Sequence, residues 1–424
     1  MYPNPQDALP LPPRPNLERY RKLAKELVKA SKSGTIGNWA EKWLRGGTDP
    51  SISQAINHVE EFALRKLSEK CTLTSAQFVI ARSHGFESWP KFSKHLEALA
   101  WKSTSVSRFE AAADAIVSGD VEALKRLLRE DPKLVRARST REHGATLLHY
   151  VAANGVENYR QKTPKNIVEI TEMLLDSGTE VDATADVYGG GCTTLGLAAT
   201  SGHPERAGVQ EALLEVLLDH GARIEDPPVA GNKHSLIIAC LANGRPKAAE
   251  FLASRGAKFD LAGAAALGRL DLVERLFDDA GSKEQIKEGF LYACEYGRNG
   301  VVAFLLEKGV DLAGHSGNGQ TALHHAVIGG HLETVKLLLR YNPPLEATNV
   351  YGGTVWGQAL WSAAHGGNPE TYIAILEALA SAGSKIGERH TPVNARVDQW
   401  LGEHGSVAEP SSASARMLTH GGSE

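Results

Sequence analysis

The sequence predicts an all-α protein: a solenoid of about eight helix pairs over residues 107–387, preceded by a small helical domain over residues 16–105. Three observations carry this. The chain has 424 residues, too many for one ordinary compact core. One phrase recurs along it: an alanine-rich helix start, a glycine, an acidic residue, and a Val/Leu-Leu run ending near another glycine. Recurrence of this kind marks stacked units that bury their apolar faces against one another. Charge divides the chain in the same place. Residues 1–105 carry 16 Lys+Arg against 10 Asp+Glu, a balance of +6, so the remainder carries 46 − 16 = 30 against 50 − 10 = 40, or −10.

In chain order, residues 1–15 are a proline-rich arm, read as extended. Residues 17–32 form an amphipathic helix, with Leu17, Tyr20, Ala24 and Leu27 on one face and Lys22, Lys25, Lys29 and Lys32 on the other. Helices follow near 53–69 and 74–84, and Pro90 opens another at about 89–100. The clearest repeat begins Gly319-Gln320-Thr321-Ala322-Leu323-His324-His325-Ala326 and runs through Gly330 to Leu337-Leu338-Leu339. A second begins Gly144-Ala145-Thr146-Leu147-Leu148-His149-Tyr150 and runs to Gly155. Degenerate copies end their first helices at Gly119, Gly202, Gly244, Gly268, Gly297 and Gly367. A capping segment spans 388–401, and residues 402–424 form a Ser/Gly/Ala-rich tail read as disordered.

Each unit has a physical logic. Thr146 and Thr321 cap a first helix, and Ala152 and Ala326 are small enough for neighbouring helices to approach. Gly155 and Gly330 take the left-handed conformation that ends it. Three units are longer. One carries Glu157–Lys165 after Gly155, a second carries His203–Gly208 after Gly202, and the third, Gly367 to Gly383, is extended by a smaller step. Such insertions map to loops on one face of a solenoid; drift in a tolerant surface loop explains them equally. Ala183–Gly190 echoes Ala347–Gly353, and both read as projecting turns that carry Tyr188 and Tyr351 near their tips.

These units resemble the ankyrin-repeat family, whose turn-helix-helix unit carries the signature T-P-L-H-x-A. The resemblance covers roughly two thirds of the chain. The signature proline is replaced by Leu147, Thr194 and Ala322, and the signature histidine survives as His149 and His324. The segment Ala76–Phe92 looks like one found ahead of ankyrin repeats in bacterial proteins. The resemblance implies a protein-interaction scaffold that takes a protein partner on its concave surface. In that frame the residue after the signature histidine faces the groove: Asp114, Tyr150, Leu197, Ala239, Gly263, Tyr292, His325 and Ser362. One turn later lie Glu295, Tyr296 and His365. The candidate partner-binding residues are therefore Tyr150, Tyr292, Glu295, Tyr296, His325 and His365, with Tyr188 and Tyr351 on the fingers.

No catalytic constellation stands out, and no cofactor or metal is expected. Cys71, Cys192, Cys240 and Cys294 form no Cys-x-x-Cys pair. His324 and His325 are adjacent, so on a helix they diverge by about 100° and do not share a metal easily. Ser88-x-x-Lys91 lacks the partner motifs of penicillin-binding enzymes, and Gly189-Gly190-Gly191 lacks a phosphate-binding lysine. Two alternatives stay open. One is an enzyme or small-ligand protein with a pocket in the groove or at the junction of head and solenoid. The other is nucleic-acid binding through the basic head, a less favoured partner because a lysine stripe is usually a solvated face. With no apolar run near the ~20 residues a bilayer needs, and no leader at its start, a cytoplasmic protein is the default expectation.

Overall fold

A computed structural model of the chain describes residues 4–44, 52–101, 103–224, 235–278, 282–386 and 392–404. The first three residues of the arm, residue 387 at the end of the solenoid, residues 388–391 of the capping segment and the tail from residue 405 lie outside the described residues. The chain divides into two compact units, Met1–Ala257 and Lys258–Glu424.

The first unit opens with five helices: α1 (Leu17–Ser33), α2 (Ile36–Leu44), α3 (Ile52–Glu69), α4 (Leu73–Ser83) and α5 (Trp89–Leu99). Asn16 caps α1 by accepting from the Glu18 and Arg19 amides. Tyr20, Ala24 and Leu27 are buried, and Lys22, Lys25, Lys29 and Lys32 are exposed. Periodicity alone did not reveal α2, which buries Ile36, Trp39 and Ala40. The centre of this module is aromatic: Tyr20 meets Phe92 edge-on, and His84 stacks on Phe92 at 5.2 Å. The arm is not simply extended. Pro5–Asp7 makes a 3-10 turn, Ala8 is buried, and the Leu9 amide donates to the Ser83 carbonyl at 2.8 Å. Leu9 and Leu11 pack on the aromatic core, and burying them outweighs the freedom of a proline-rich segment.

Four helix pairs complete this unit. They are α6 (Ser105–Ser118) with α7 (Val121–Glu130); a 3-10 helix Leu147–Ala152 with α8 (Ile167–Asp176); α9 (Thr194–Thr200) with α10 (Gly202–Arg206) and α11 (Gln210–Asp219); and α12 (Leu236–Ala242) with α13 (Pro246–Ser254). The second pair departs from a regular α-helix because Ala153 already takes a left-handed φ of 47°, two residues before Gly155. A short two-stranded hairpin, β1 (Thr184–Ala185) with β2 (Cys192–Thr193), forms the finger that carries Tyr188. The finger before Thr146 is bridged between Arg138 and Thr146. Its tip reaches the helical module: the Glu142 amide donates to the Gly85 carbonyl at 2.9 Å, Glu142 pairs with Arg82, and Thr140 bonds His95 Nδ1 at 2.7 Å.

The second unit stacks four more pairs: α14 (Leu261–Ala266) with α15 (Leu270–Asp278), α16 (Lys283–Glu295) with α17 (Asn299–Glu307), α18 (Ala322–Ile328) with α19 (Leu332–Leu339), and α20 (Val355–Ala364) with α21 (Pro369–Ser381). Then α22 (Ala395–His404) packs Val397, Trp400 and Leu401 against α21. The described residues thus hold eight helix pairs, four in each unit, with a small helical module ahead of the first four. The first helices α14, α16, α18 and α20 contact one another in sequence, and the second helices do the same where α17, α19 and α21 meet. Their core is continuous through Phe290, Leu305, Leu323, Leu338, Trp356 and Leu379.

One device links a repeat to the next finger in both units. Thr321 is a reciprocal cap: its amide donates to His324 Nδ1 at 3.2 Å, and the His324 Nε2–H then donates to the Gly353 carbonyl at 3.2 Å. Thr146 and His149 repeat the arrangement, with Cys192 as the acceptor. Burial holds both imidazoles neutral by lowering their pKa, His149 to about 4. Both ring nitrogens of each histidine are engaged in these bonds, so the two rings serve to tie a cap to the next finger.

Candidate functional site

The left-handed glycines fix which side chains face outward. Gly119, Gly155, Gly244, Gly268, Gly297 and Gly330 have positive φ, as expected. Two expected positions do not. Gly202 lies within α10, and after α20 the left-handed residue is Gly366, φ 103°, instead of Gly367. Gly367 is glycine for another reason: a Cβ there would lie 2.2 Å from the Tyr372 ring, whose hydroxyl donates to the Val327 and Ile328 carbonyls. The frame for this repeat moves by one residue. Ser362, expected in the groove, is buried, and Trp361, which sequence reasoning missed, takes the place. Trp361 is 50% exposed.

With that correction one row crosses three adjacent first helices of the second unit. Tyr292, His325 and Trp361 each stand five residues before a left-handed glycine, Gly297, Gly330 and Gly366. Tyr292 and His325 are half-buried. His325 Nδ1 meets Glu295 Oε2 at 2.8 Å, which joins α16 to α18 on this face. Tyr296, the residue that caps the end of α16, is half-buried. Burial first, then the carboxylates of Glu288, Glu295 and Asp260, push the Tyr292 hydroxyl up to about 12. Trp361 stacks on His365 at 4.2 Å between ring centroids, and His365 Nδ1 bonds the Trp361 carbonyl at 2.7 Å. The finger that precedes α20 carries Val350 and Tyr351, both 63% exposed. Asn349 holds its turn by accepting from the Tyr351 and Gly353 amides.

Two expected residues belong to the first unit and behave differently. Tyr188 is 62% exposed at its finger, and its hydroxyl donates to Asn154 Oδ1 at 2.6 Å. Tyr150 is the correction: it is fully buried and presents nothing to a partner. The cause is the long stretch after Gly155, which folds back over the row. Arg160 from that stretch lies over the Tyr150 ring at 5.8 Å and over Tyr159 at 5.4 Å. Its Nη1 meets Glu110 Oε2 at 2.8 Å, and its Nη2 meets Asp114 Oδ1 at 2.8 Å. Arg141 joins from the first finger, with Nη1 2.6 Å from Glu110 and Nε 2.9 Å from Glu157.

This is a buried cluster of two guanidinium and two carboxylate groups, with His143 Nε2 a further 3.5 Å from Glu157. Burial opposes ionisation of every member, but the opposite charges win. Glu110 and Glu157 are held below the usual carboxylate range by Arg141 and Arg160, and both arginines are held above theirs. Some capacity remains unused: the Tyr150 hydroxyl, His143 Nε2 and both Glu157 oxygens have no hydrogen bond of good geometry. No group of three His, Cys, Asp or Glu able to hold a metal occurs among the described residues. No helix among them is long and apolar enough to cross a membrane.

The repeats are recognisable in known proteins. Residues 261–349 match the family model for ankyrin repeats, three copies, which places α14 through α19 and the residues Tyr292, Glu295, Tyr296 and His325 inside it. The chain therefore carries ankyrin repeats. It is also 38% identical over 97 residues to the human transient receptor potential cation channel subfamily A member 1. That match covers 21% of this chain and 8% of the channel's length.

Proposed function

We propose that the chain is a protein-interaction scaffold whose partner docks on the first-helix face of the second unit. Tyr292, His325 and Trp361 form the centre of that face, Glu295, Tyr296 and His365 flank it, and Tyr351 stands at its edge. The observation that carries this reading is the exposed Trp361–His365 stack in line with Tyr292 and His325. The core of the repeat is complete without that ring, because Trp356 on the opposite side of α20 supplies the buried aromatic. Half of the Trp361 surface is left in water, where it adds nothing to folding, whereas Trp and Tyr are among the side chains whose truncation costs most at interfaces. Ankyrin repeats are in general protein-binding modules, which supports the same reading. The four cysteines, none of them joined in a disulfide, fit a reducing compartment such as the cytoplasm.

The test replaces Trp361 with a photo-crosslinking residue in the native cell, and the captured protein is identified by mass spectrometry. Capture at this position, lost when Tyr292→Ala is added without a change in melting, supports docking. Capture that is unaffected by Tyr292→Ala, or melting that falls instead, refutes it. A second reading rests on the unused hydrogen-bonding capacity of the Tyr150, His143 and Glu157 cluster, which a small polar molecule could satisfy. A thermal-shift screen of polar metabolites checks it. Absence of any stabiliser that also fails with Tyr150→Phe leaves the scaffold reading alone.

A further inference from the structure

The first unit contains a filled seat for a cation. Arg160, 5% exposed at its side chain, lies between the Tyr150 and Tyr159 rings and the carboxylates of Glu110 and Asp114. Asp114 and Tyr150 stand five residues before the left-handed Gly119 and Gly155. They occupy the row that Tyr292, His325 and Trp361 occupy in the second unit. The chain thus shows what this row of its own repeats can hold: a guanidinium that meets an aromatic face and two carboxylates.

In the second unit the row has similar chemistry and no such insertion. Only Tyr296–Arg298 separates α16 from α17, and only Gly329–His331 separates α18 from α19, so neither loop can fold back across the helices. Glu288 and Glu295 stand four residues before and three residues after Tyr292 on α16, so the two carboxylates and the ring share one face of that helix. The nearby Lys287 is tied to Glu284 at 2.8 Å. Aromatic rings beside carboxylates attract a cation twice, through the negative ring face and through charge. Resting on the docking reading above, we infer that the partner segment is basic, and that it places an arginine or lysine side chain against Tyr292 and Glu295 and a second contact on Trp361. Arginine is preferred, because its planar group can stack on a ring and bond a carboxylate at once.

The experiment is a selection of random displayed heptapeptides on the immobilised full chain. Peptides that also bind the Tyr292→Ala, Trp361→Ala double variant are discarded. The expected survivors share an arginine or lysine. Glu295→Gln should weaken them ~10-fold, about one strong charged contact, while Glu333→Gln, on the second helix α19, leaves them unchanged. Survivors that are acidic or purely apolar would overturn the basic partner but keep the docking face. If no peptide depends on Tyr292 and Trp361, both the basic partner and the docking face are wrong. Equal melting of all variants is the control for folding.

Discussion

Arg160 shows how much a single side chain can hold. It pairs with Glu110 and Asp114 and lies 3.5 Å from Glu157, while Glu110 and Glu157 are themselves buried. Replacing it with methionine keeps the volume but leaves two buried carboxylates facing Arg141 alone. Arg160→Met should cost ~3–5 kcal/mol, since removing one partner strands the other's charge. Asp114→Asn, at a side chain that is mostly exposed, should cost less than ~1 kcal/mol. Urea unfolding measures both, and equal costs would mean that the cluster is hydrated. The titration of these residues points the same way as their packing. His84, His95 and His149 are held neutral by burial, their pKa values lowered to about 4 from 6.5. The unfolded chain takes up those protons first, so stability falls as the pH drops from 6.5 toward 4. Glu110 and Glu157, held below their usual range, contribute stability above that range and lose it as acid protonates them. Both effects have one sign. Melting temperature at constant ionic strength should decline steadily below pH 6.5, and a flat profile down to pH 4.5 would show that these histidines are not buried neutral.

At the scale of an element, the left-handed glycines differ in what surrounds them. A Cβ on Gly297 would lie 2.6 Å from the His331 ring, whereas one on Gly330 meets nothing nearer than the Tyr372 hydroxyl at 3.5 Å. Both changes carry the ~1–2 kcal/mol cost of a left-handed side chain, and Gly297→Ala adds a clash. It should therefore melt lower than Gly330→Ala. Leu338→Ala, which opens a hole between α17, α19 and α21, should cost ~2–5 kcal/mol by denaturant unfolding. These elements were legible in the sequence because their constraints are local. A cap threonine, a histidine three residues on, and a glycine that ends the helix all fall within one short window. The row on α20 was misplaced because Gly366 and Gly367 are adjacent, and only the approach of Tyr372 tells which one is left-handed. The fate of Tyr150 was illegible for a different reason. The residue that covers it, Arg160, finds its carboxylates 46 and 50 positions away along the chain, and no periodicity relates them. Helix α2 escaped because nine residues carry too few turns to display a pattern.

At the scale of the whole molecule, the helical module is tied to the repeats that follow it in the first unit. Arg82 pairs with Glu142, Gly85 accepts from its amide, His95 meets Thr140, and Phe86 lies under Arg141 at 5.6 Å. Removing residues 1–103, which spares the Thr104 cap of α6, would uncover Arg141 and the aromatic contact beneath it. A chain that begins at residue 104 should lose the cooperative melting of the first unit, seen as a broadened or absent transition by calorimetry. An unchanged transition would mean that the module is only tethered.

The same ties bear on how such a chain can change length over generations. A repeat can be duplicated or lost wherever one helix pair rests on another of its kind, because the new junction resembles the old. Between residues 82 and 160 no junction is of that kind. Arg82 needs Glu142, Glu110 needs both Arg141 and Arg160, and an extra pair placed among them would part residues that have no substitutes. An extra pair should therefore be harder to accept within that stretch than elsewhere in the array.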